Sequence, residues 1–116
     1  MELGKLFGNE TAAKTLLFIA RYGEATTGEV SEAFDIPKPM IYLQLRKLED
    51  AGFVVSRLIS NIRLFSLNPR SGIKNELVAL LEKYIELNMP IEKNRAFYNL
   101  RRRPRKTSKE LKLTNE

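Results

Sequence analysis

The stretch Pro37-Lys38-Pro39-Met40-Ile41-Tyr42-Leu43-Gln44-Leu45-Arg46-Lys47-Leu48-Glu49-Asp50-Ala51-Gly52-Phe53-Val54 decides how this chain folds. Ile41, Leu45 and Leu48 stand at i, i+4 and i+7, the spacing of one buried stripe on an α-helix. Pro39 belongs in the first turn, where its missing N–H costs nothing. The helix runs to about Ala51, and Gly52 ends it. With the stripe turned inward, Lys38, Pro39, Met40, Tyr42, Leu43, Arg46 and Lys47 face outward to varying degrees.

Upstream, Asp35-Ile36-Pro37 reads as a tight turn. Before it, Thr26 and Glu29 fit a capping box that opens a short helix over residues 27–34, with Val30, Ala33 and Phe34 on one face. Ala13, Leu16, Leu17 and Ala20 recur at helical spacing from Glu10 to Tyr22, and Gly23 closes that helix. Gly8-Asn9 reads as a stop followed by a fresh N-cap, after a short helical lead-in from Leu3 to Phe7. A short helix, a tight turn and a second helix make a helix-turn-helix.

Downstream, residues 53–58 and 62–67 are β-like, and Ser60-Asn61 between them suits a tight hairpin because Asn tolerates positive φ. A hairpin directly after the second helix makes the motif winged. Asn68-Pro69-Arg70-Ser71-Gly72 breaks the pattern. A long helix is expected from about Ile73 to Asn88, with Leu77, Leu80, Leu81, Tyr84 and Ile85 in one stripe widened by Val78 and Leu87. Met89-Pro90 interrupts it, residues 90–100 fit a further short helix with Phe97 and Tyr98 as docking points, and the rest is a basic flexible tail. The expected fold is mainly α (α+β): a winged helix-turn-helix with a three-helix core, a hairpin wing and a long C-terminal dimerisation helix. Residues 1–88 form the domain and residues 89–116 an extension.

The 116 residues suit one domain and a tail, with mean hydropathy −0.30. No apolar run approaches the roughly 20 residues a spanning helix needs. The opening residues lack a basic, then apolar, secretory pattern. Cysteine and histidine are absent, so thiol and imidazole chemistry and ordinary zinc sites are excluded. No G-x-S-x-G or Gly-rich phosphate loop occurs. Glu29 and Glu32 share a helix face at i, i+3, a spacing typical of solvated surface. The expectation is a binding protein, not an enzyme, with no cofactor, metal or membrane.

Net charge is +6 but unevenly placed. Residues 38–74 and 101–116 each carry +5, against −3 over residues 1–37 and −1 over 75–100. Concentrated positive charge raises the local density of a polyanion and releases its counterions on contact. The major groove of DNA, about 12 Å wide, admits one α-helix.

Leu6-Phe7-Gly8-Asn9, the stretch from Thr26 to Phe34, the stretch from Pro37 to Val54 (most specifically Leu45-Arg46-Lys47-Leu48-Glu49-Asp50-Ala51-Gly52-Phe53-Val54) and the close Arg63-Leu64-Phe65-Ser66-Leu67-Asn68-Pro69 together resemble ArsR-type winged-helix transcriptional regulators. The likeness spans residues 6–86. Pro37 stands where that family usually has a Ser cap; losing one costs about 0.5–2 kcal/mol. The helix start is therefore expected one residue on, with Lys38 as a weak cap and Pro39 first in the helix. Metal-sensing members use Cys, His and carboxylate ligands, so the likeness is to the branch without them.

The resemblance implies a prokaryotic, cytoplasmic, nucleoid-associated repressor that binds double-stranded DNA. It places the positions of Lys38, Met40, Tyr42, Leu43 and Gln44 against the major groove, where Gln44 can pair with adenine. Leu43 either packs on a thymine methyl or belongs to an intramolecular or dimer contact. Thr27 and Pro39 are counted with the DNA-facing set; Arg46 and Lys47 are assigned to phosphates. Arg57, Asn61 and Arg63 occupy the wing, and Arg63 is either a minor-groove or phosphate contact or a solvated arginine. Ile59 and Ile62 either pack under the hairpin or mark a wing that touches protein. Arg101, Arg102, Arg103, Arg105 and Lys106 either follow phosphates nonspecifically or simply solubilise the tail; a nuclear-import signal is disfavoured. The family's terminal helix pairs with its two-fold mate, often beside the first helix, which implies a homodimer through Leu16, Leu77, Leu80, Leu81, Tyr84 and Ile85 on a palindromic operator. The competing reading is a protein-docking module with only nonspecific DNA affinity, for which +5 over residues 38–74 is unneeded. No effector is legible.

Overall fold

Helix α1 (Glu2–Phe7) ends where Gly8 takes φ 73°, and α2 (Glu10–Tyr22) starts at once. The side chain of Asn9 accepts from the Ala12 amide at 3.0 Å, the expected cap. A Cβ at Gly4 would lie 2.9 Å from the Glu10 Cα, so this glycine lets α1 fold back against α2. The computed structural model describes residues 1–99; residues 100–116, which include the basic run Arg101–Lys106, lie outside the described residues.

Helix α3 (Thr27–Phe34) opens with the expected reciprocal capping box: Thr26 N–H donates to Glu29 Oε1 at 3.0 Å, and Glu29 N–H donates to Thr26 Oγ1 at 3.2 Å. It closes at Asp35, φ 56°. Helix α4 spans Lys38–Asp50 with Pro37 as N-cap, which corrects the expected start. The Pro37 carbonyl accepts from the Met40 and Ile41 amides at 3.0 and 3.3 Å, so backbone geometry replaces the missing side-chain cap. Pro39 sits at the second helical position, inside the first turn where no donor is needed.

Strands β1 (Val54–Ile59) and β2 (Ile62–Leu67) pair antiparallel from Val54↔Leu67 to Ile59↔Ile62. The positive φ of the two-residue turn falls on Ser60 (54°), not on Asn61. Ala25 and Phe65 exchange both backbone hydrogen bonds at 2.8–2.9 Å, which pins the hairpin to the α2–α3 connection. At its base Asn68 N–H donates to the Phe53 carbonyl and its side-chain amide to the Gly52 carbonyl, both at 2.9 Å. Pro69 follows where the ladder has ended.

The core joins Leu16, Leu17, Phe18 and Ile19 of α2 with Val30, Ile41, Leu45, Val54, Phe65, Leu81 and Ile85. Helix α5 (Lys74–Asn88) crosses α2 with Leu81 and Ile85 inward. A 3₁₀ turn (Ile91–Lys93) and α6 (Arg95–Asn99) return the chain to the body. Met89 and Phe97, beyond the boundary drawn at residue 88, are buried in the same core. Phe97 packs among Phe18, Tyr22 and Phe34 at centroid distances of 5.7–6.2 Å, and the Tyr22 hydroxyl donates to its carbonyl.

Candidate nucleic-acid interface

Burial of Ile41 and Leu45 leaves one face of α4 in solvent. Lys38, Pro39, Met40, Tyr42, Leu43, Arg46 and Lys47 are all exposed, with Leu43 the most exposed of the apolar ones at 52%. Gln44 departs from its expected place facing a groove. It is half-buried at the α2 side of the helix, and its Oε1 accepts from Asn9 Nδ2 at 3.0 Å. Thr27 is half-buried at the start of α3, beside Gly28, over which the Lys38 aliphatic stem passes.

The exposed face of α4 continues onto the wing through hydrogen bonds. The Arg46 guanidinium donates to the Tyr42 hydroxyl at 3.2 Å and pairs with Glu49 at 3.4 Å. Ser56 on β1 donates to the other Glu49 oxygen at 2.7 Å, and Arg63 on β2 donates to Ser56 Oγ at 3.0 Å. The Tyr42 hydroxyl, then the Glu49 and Asp50 carboxylates, raise the Arg46 pKa above its already high value, so it stays cationic. Arg57 pairs with Glu24 at 2.9 Å, and Asn61 is exposed at the tip.

Three apolar wing residues stand in solvent, Leu58 at 60%, Ile62 at 54% and Val55 at 36%, while Ile59 is half-buried. Ile62 thus does not pack under the hairpin. Sequence reasoning alone misses Leu58, Glu49 and Ser56. Alternation along β1 puts Val54, Ser56 and Leu58 on one face, but only Val54 overlies the core because the hairpin outruns it. Among the described residues no group of His, Cys, Asp and Glu could hold a metal ion.

The model of the family described as the sugar-specific transcriptional regulator TrmB matches residues 9–70. The chain belongs to the TrmB family. That match runs from the cap of α2 to just past the wing, so the TrmB segment is the helix-turn-helix with its hairpin, and the family is one of regulators, not enzymes. A solved structure of a ZitR point mutant from Lactococcus lactis is similar in fold, with TM-score 0.54 and 20% identity over 79% of this chain. The chain covers 58% of that protein. No curated protein matches the chain.

Beyond the TrmB match, α5 carries two apolar stripes where the sequence suggested one. Leu81 and Ile85 face α2 and are buried, as is Leu16. Ile73, Leu80 and Leu87 are exposed at 41–68%, with half-buried Leu77 and Tyr84 between them. Of the six residues assigned to a dimer, Leu77, Leu80 and Tyr84 therefore have surface to offer. Leu16 and Leu77, with Phe7, Ala12, Leu48, Phe53 and Ile73, line an apolar cleft of about 270 Å³.

Proposed function

We propose that this chain is a sequence-specific double-stranded DNA-binding regulator, a homodimeric repressor on an inverted repeat. Helix α4 enters the major groove with Lys38, Pro39, Met40, Tyr42 and Leu43 toward base edges and Thr27 beside them. Arg46 and Lys47 hold phosphates, and the wing follows the neighbouring backbone through Arg57, Asn61 and Arg63. The observation that carries this reading is the joined cationic face: Arg46 of α4 and Arg63 of the wing hang from the same Glu49–Ser56 pair. The basic run Arg101, Arg102, Arg103, Arg105 and Lys106 adds nonspecific phosphate affinity.

The second apolar stripe of α5 supports the dimer. Ile73, Leu77, Leu80, Tyr84 and Leu87 follow alternating steps of four and three, the heptad spacing of a helix seam. Two-fold pairing along it sets the α4 helices one DNA turn apart, as in the ArsR-like regulators this sequence resembles. The family's description names a sugar, but the cleft is lined by residues with apolar side chains alone, so no sugar site is placed there. No helix among the described residues is long and apolar enough to cross a membrane, and a cytoplasmic, nucleoid-associated place fits a DNA reader.

Exposed Leu43, Leu58 and Ile62 favour a second reading, a winged-helix module that docks on protein. Selection of bound duplexes from a random library at two salt concentrations separates the two. An enriched inverted repeat that survives higher salt supports the DNA reader. Retention only at low salt, without a motif, supports the docking module.

A further inference from the structure

Glu49 is a carboxylate in the middle of a cationic face, an arrangement that weakens attraction to a polyanion unless the charge has another task. Its surroundings show one. The side chain is 27% exposed, and each oxygen has a different partner: Oε1 faces the Arg46 guanidinium, and Oε2 accepts from Ser56 Oγ. Ser56 Oγ in turn accepts from Arg63 Nη1. One acid thus ties the last turn of α4 to both strands of the wing. Tyr42 also meets Phe65, the cross-strand partner of Ser56, edge to face at 6.5 Å, so an apolar contact and this polar tie join α4 to the wing at the same level of the hairpin.

Resting on the DNA-binding reading above, we infer that Glu49 is a positioning residue, which sets the angle between α4 and the wing and aims Arg46 and Arg63 at two phosphates of one half-site. Positioning and charge act in opposite directions here. Removing the charge strengthens indiscriminate attraction to DNA, whereas losing the tie blurs the register that makes one site better than the rest. The ratio of specific to nonspecific affinity therefore reports on the tie, independently of overall binding strength.

The test compares wild type, Glu49→Gln, Glu49→Asp and Ser56→Ala on the selected duplex and on a scrambled duplex of the same length, with melting curves for each. Glu49→Gln should lower the specific-to-nonspecific ratio about tenfold, the worth of one charge-assisted hydrogen bond, while scrambled-duplex affinity holds or rises. Glu49→Asp keeps the charge but is one methylene too short to reach both partners, and should lower the ratio with scrambled affinity unchanged. Ser56→Ala cuts only the Arg63 branch, should cost part of the ratio, and should add nothing on top of Glu49→Gln. An unchanged ratio in Glu49→Gln, or in Ser56→Ala should the former fail to fold, overturns the inference. A wild type with no preferred duplex overturns the DNA-reading proposal itself, and this shows before any variant is compared.

Discussion

Asn9 Nδ2 lies 3.0 Å from Gln44 Oε1, so the residue that caps α2 also holds a side chain of α4, the helix proposed to enter the major groove. Both ends of the Asn9 amide are in use, since its oxygen takes the Ala12 N–H at 3.0 Å. The pair fixes the crossing of α4 over the start of α2. Gln44→Ala should then act on stability and not on sequence preference. It should cost about 0.5–1.5 kcal/mol in urea denaturation, the worth of one neutral hydrogen bond, and leave the selected motif unaltered. Asn9→Ala should cost about 0.5–2 kcal/mol, because a cap is lost as well. The double variant should cost less than the two losses added. A motif relaxed at one base by Gln44→Ala would return this residue to the groove.

Arg46 and Lys47 are exposed on the last turns of α4, where a helix seated in the major groove meets the backbone. Replacing both by alanine should weaken binding to all duplexes alike. The slope of log affinity against log salt should flatten by about 0.9 for each phosphate no longer neutralised, about 1.8 for the pair. Fluorescence anisotropy over a salt series reads this directly. An unchanged slope would put the DNA on a different face.

The outer stripe of α5 should behave as a seam. Leu80 and Leu87 are 41% and 68% exposed and make no core of their own chain. Changing both to lysine should leave the melting temperature of the monomer fold nearly intact and halve the mass in sedimentation equilibrium. Leu81→Lys, at a fully buried position, should unfold the protein instead. A double variant that sediments like wild type would move the two-fold contact elsewhere.

The devices that show in the sequence are local ones. Thr26 and Glu29 are three residues apart, and Asn9 and Ala12 also; their hydrogen bonds follow from helix geometry alone. The alternation and breaks that set helix, turn, helix and hairpin are local too. Glu49 and Ser56 meet only because the chain reverses at Gly52, and nothing in either residue announces the other. The stripes of α5 merged for a related reason. Leu80 and Leu81 are neighbours in sequence, and only the packing of α2 decides which is inside. Pro37 shows the limit of cap statistics, since a carbonyl can close a helix start that lacks a side-chain oxygen.

Phe97, a docking point expected from the sequence although it follows two chain breaks and belongs to no helical stripe, is 1% exposed. It fills a pocket made by Phe18, Tyr22 and Phe34, so α6 is clamped to the end of α3. Phe97→Ala should destabilise the fold by about 3–5 kcal/mol. Phe97→Leu, which keeps most of the volume, should cost about half as much or less. Chemical denaturation with a global fit distinguishes them. A loss below about 1 kcal/mol for the alanine variant would mean that α6 is not part of the cooperative unit.

Tyr84 donates to Glu2 Oε1 at 3.1 Å and so ties α5 to α1. The contact shifts both groups. Glu2 lies below its ordinary 4.5, first through a backbone hydrogen bond at its own position and then through the Tyr84 hydroxyl. Tyr84 lies above its ordinary 10.0, first through burial and then through the Glu2 carboxylate. A lowered carboxylate adds stability that is complete above its unfolded value and fades as pH falls through the folded one. A raised phenol adds stability that is complete below its unfolded value and fades as pH rises through the folded one. The tie should therefore hold between those two limits and weaken at both ends. The difference in melting temperature between wild type and Tyr84→Phe should be greatest and flat near neutrality. It should shrink as pH falls below the ordinary glutamate value of 4.5 and again as pH rises above the ordinary tyrosine value of 10.0. A difference that stayed constant across the whole range would mean that the hydroxyl stabilises α5 by packing alone and that its bond to Glu2 contributes nothing in solution.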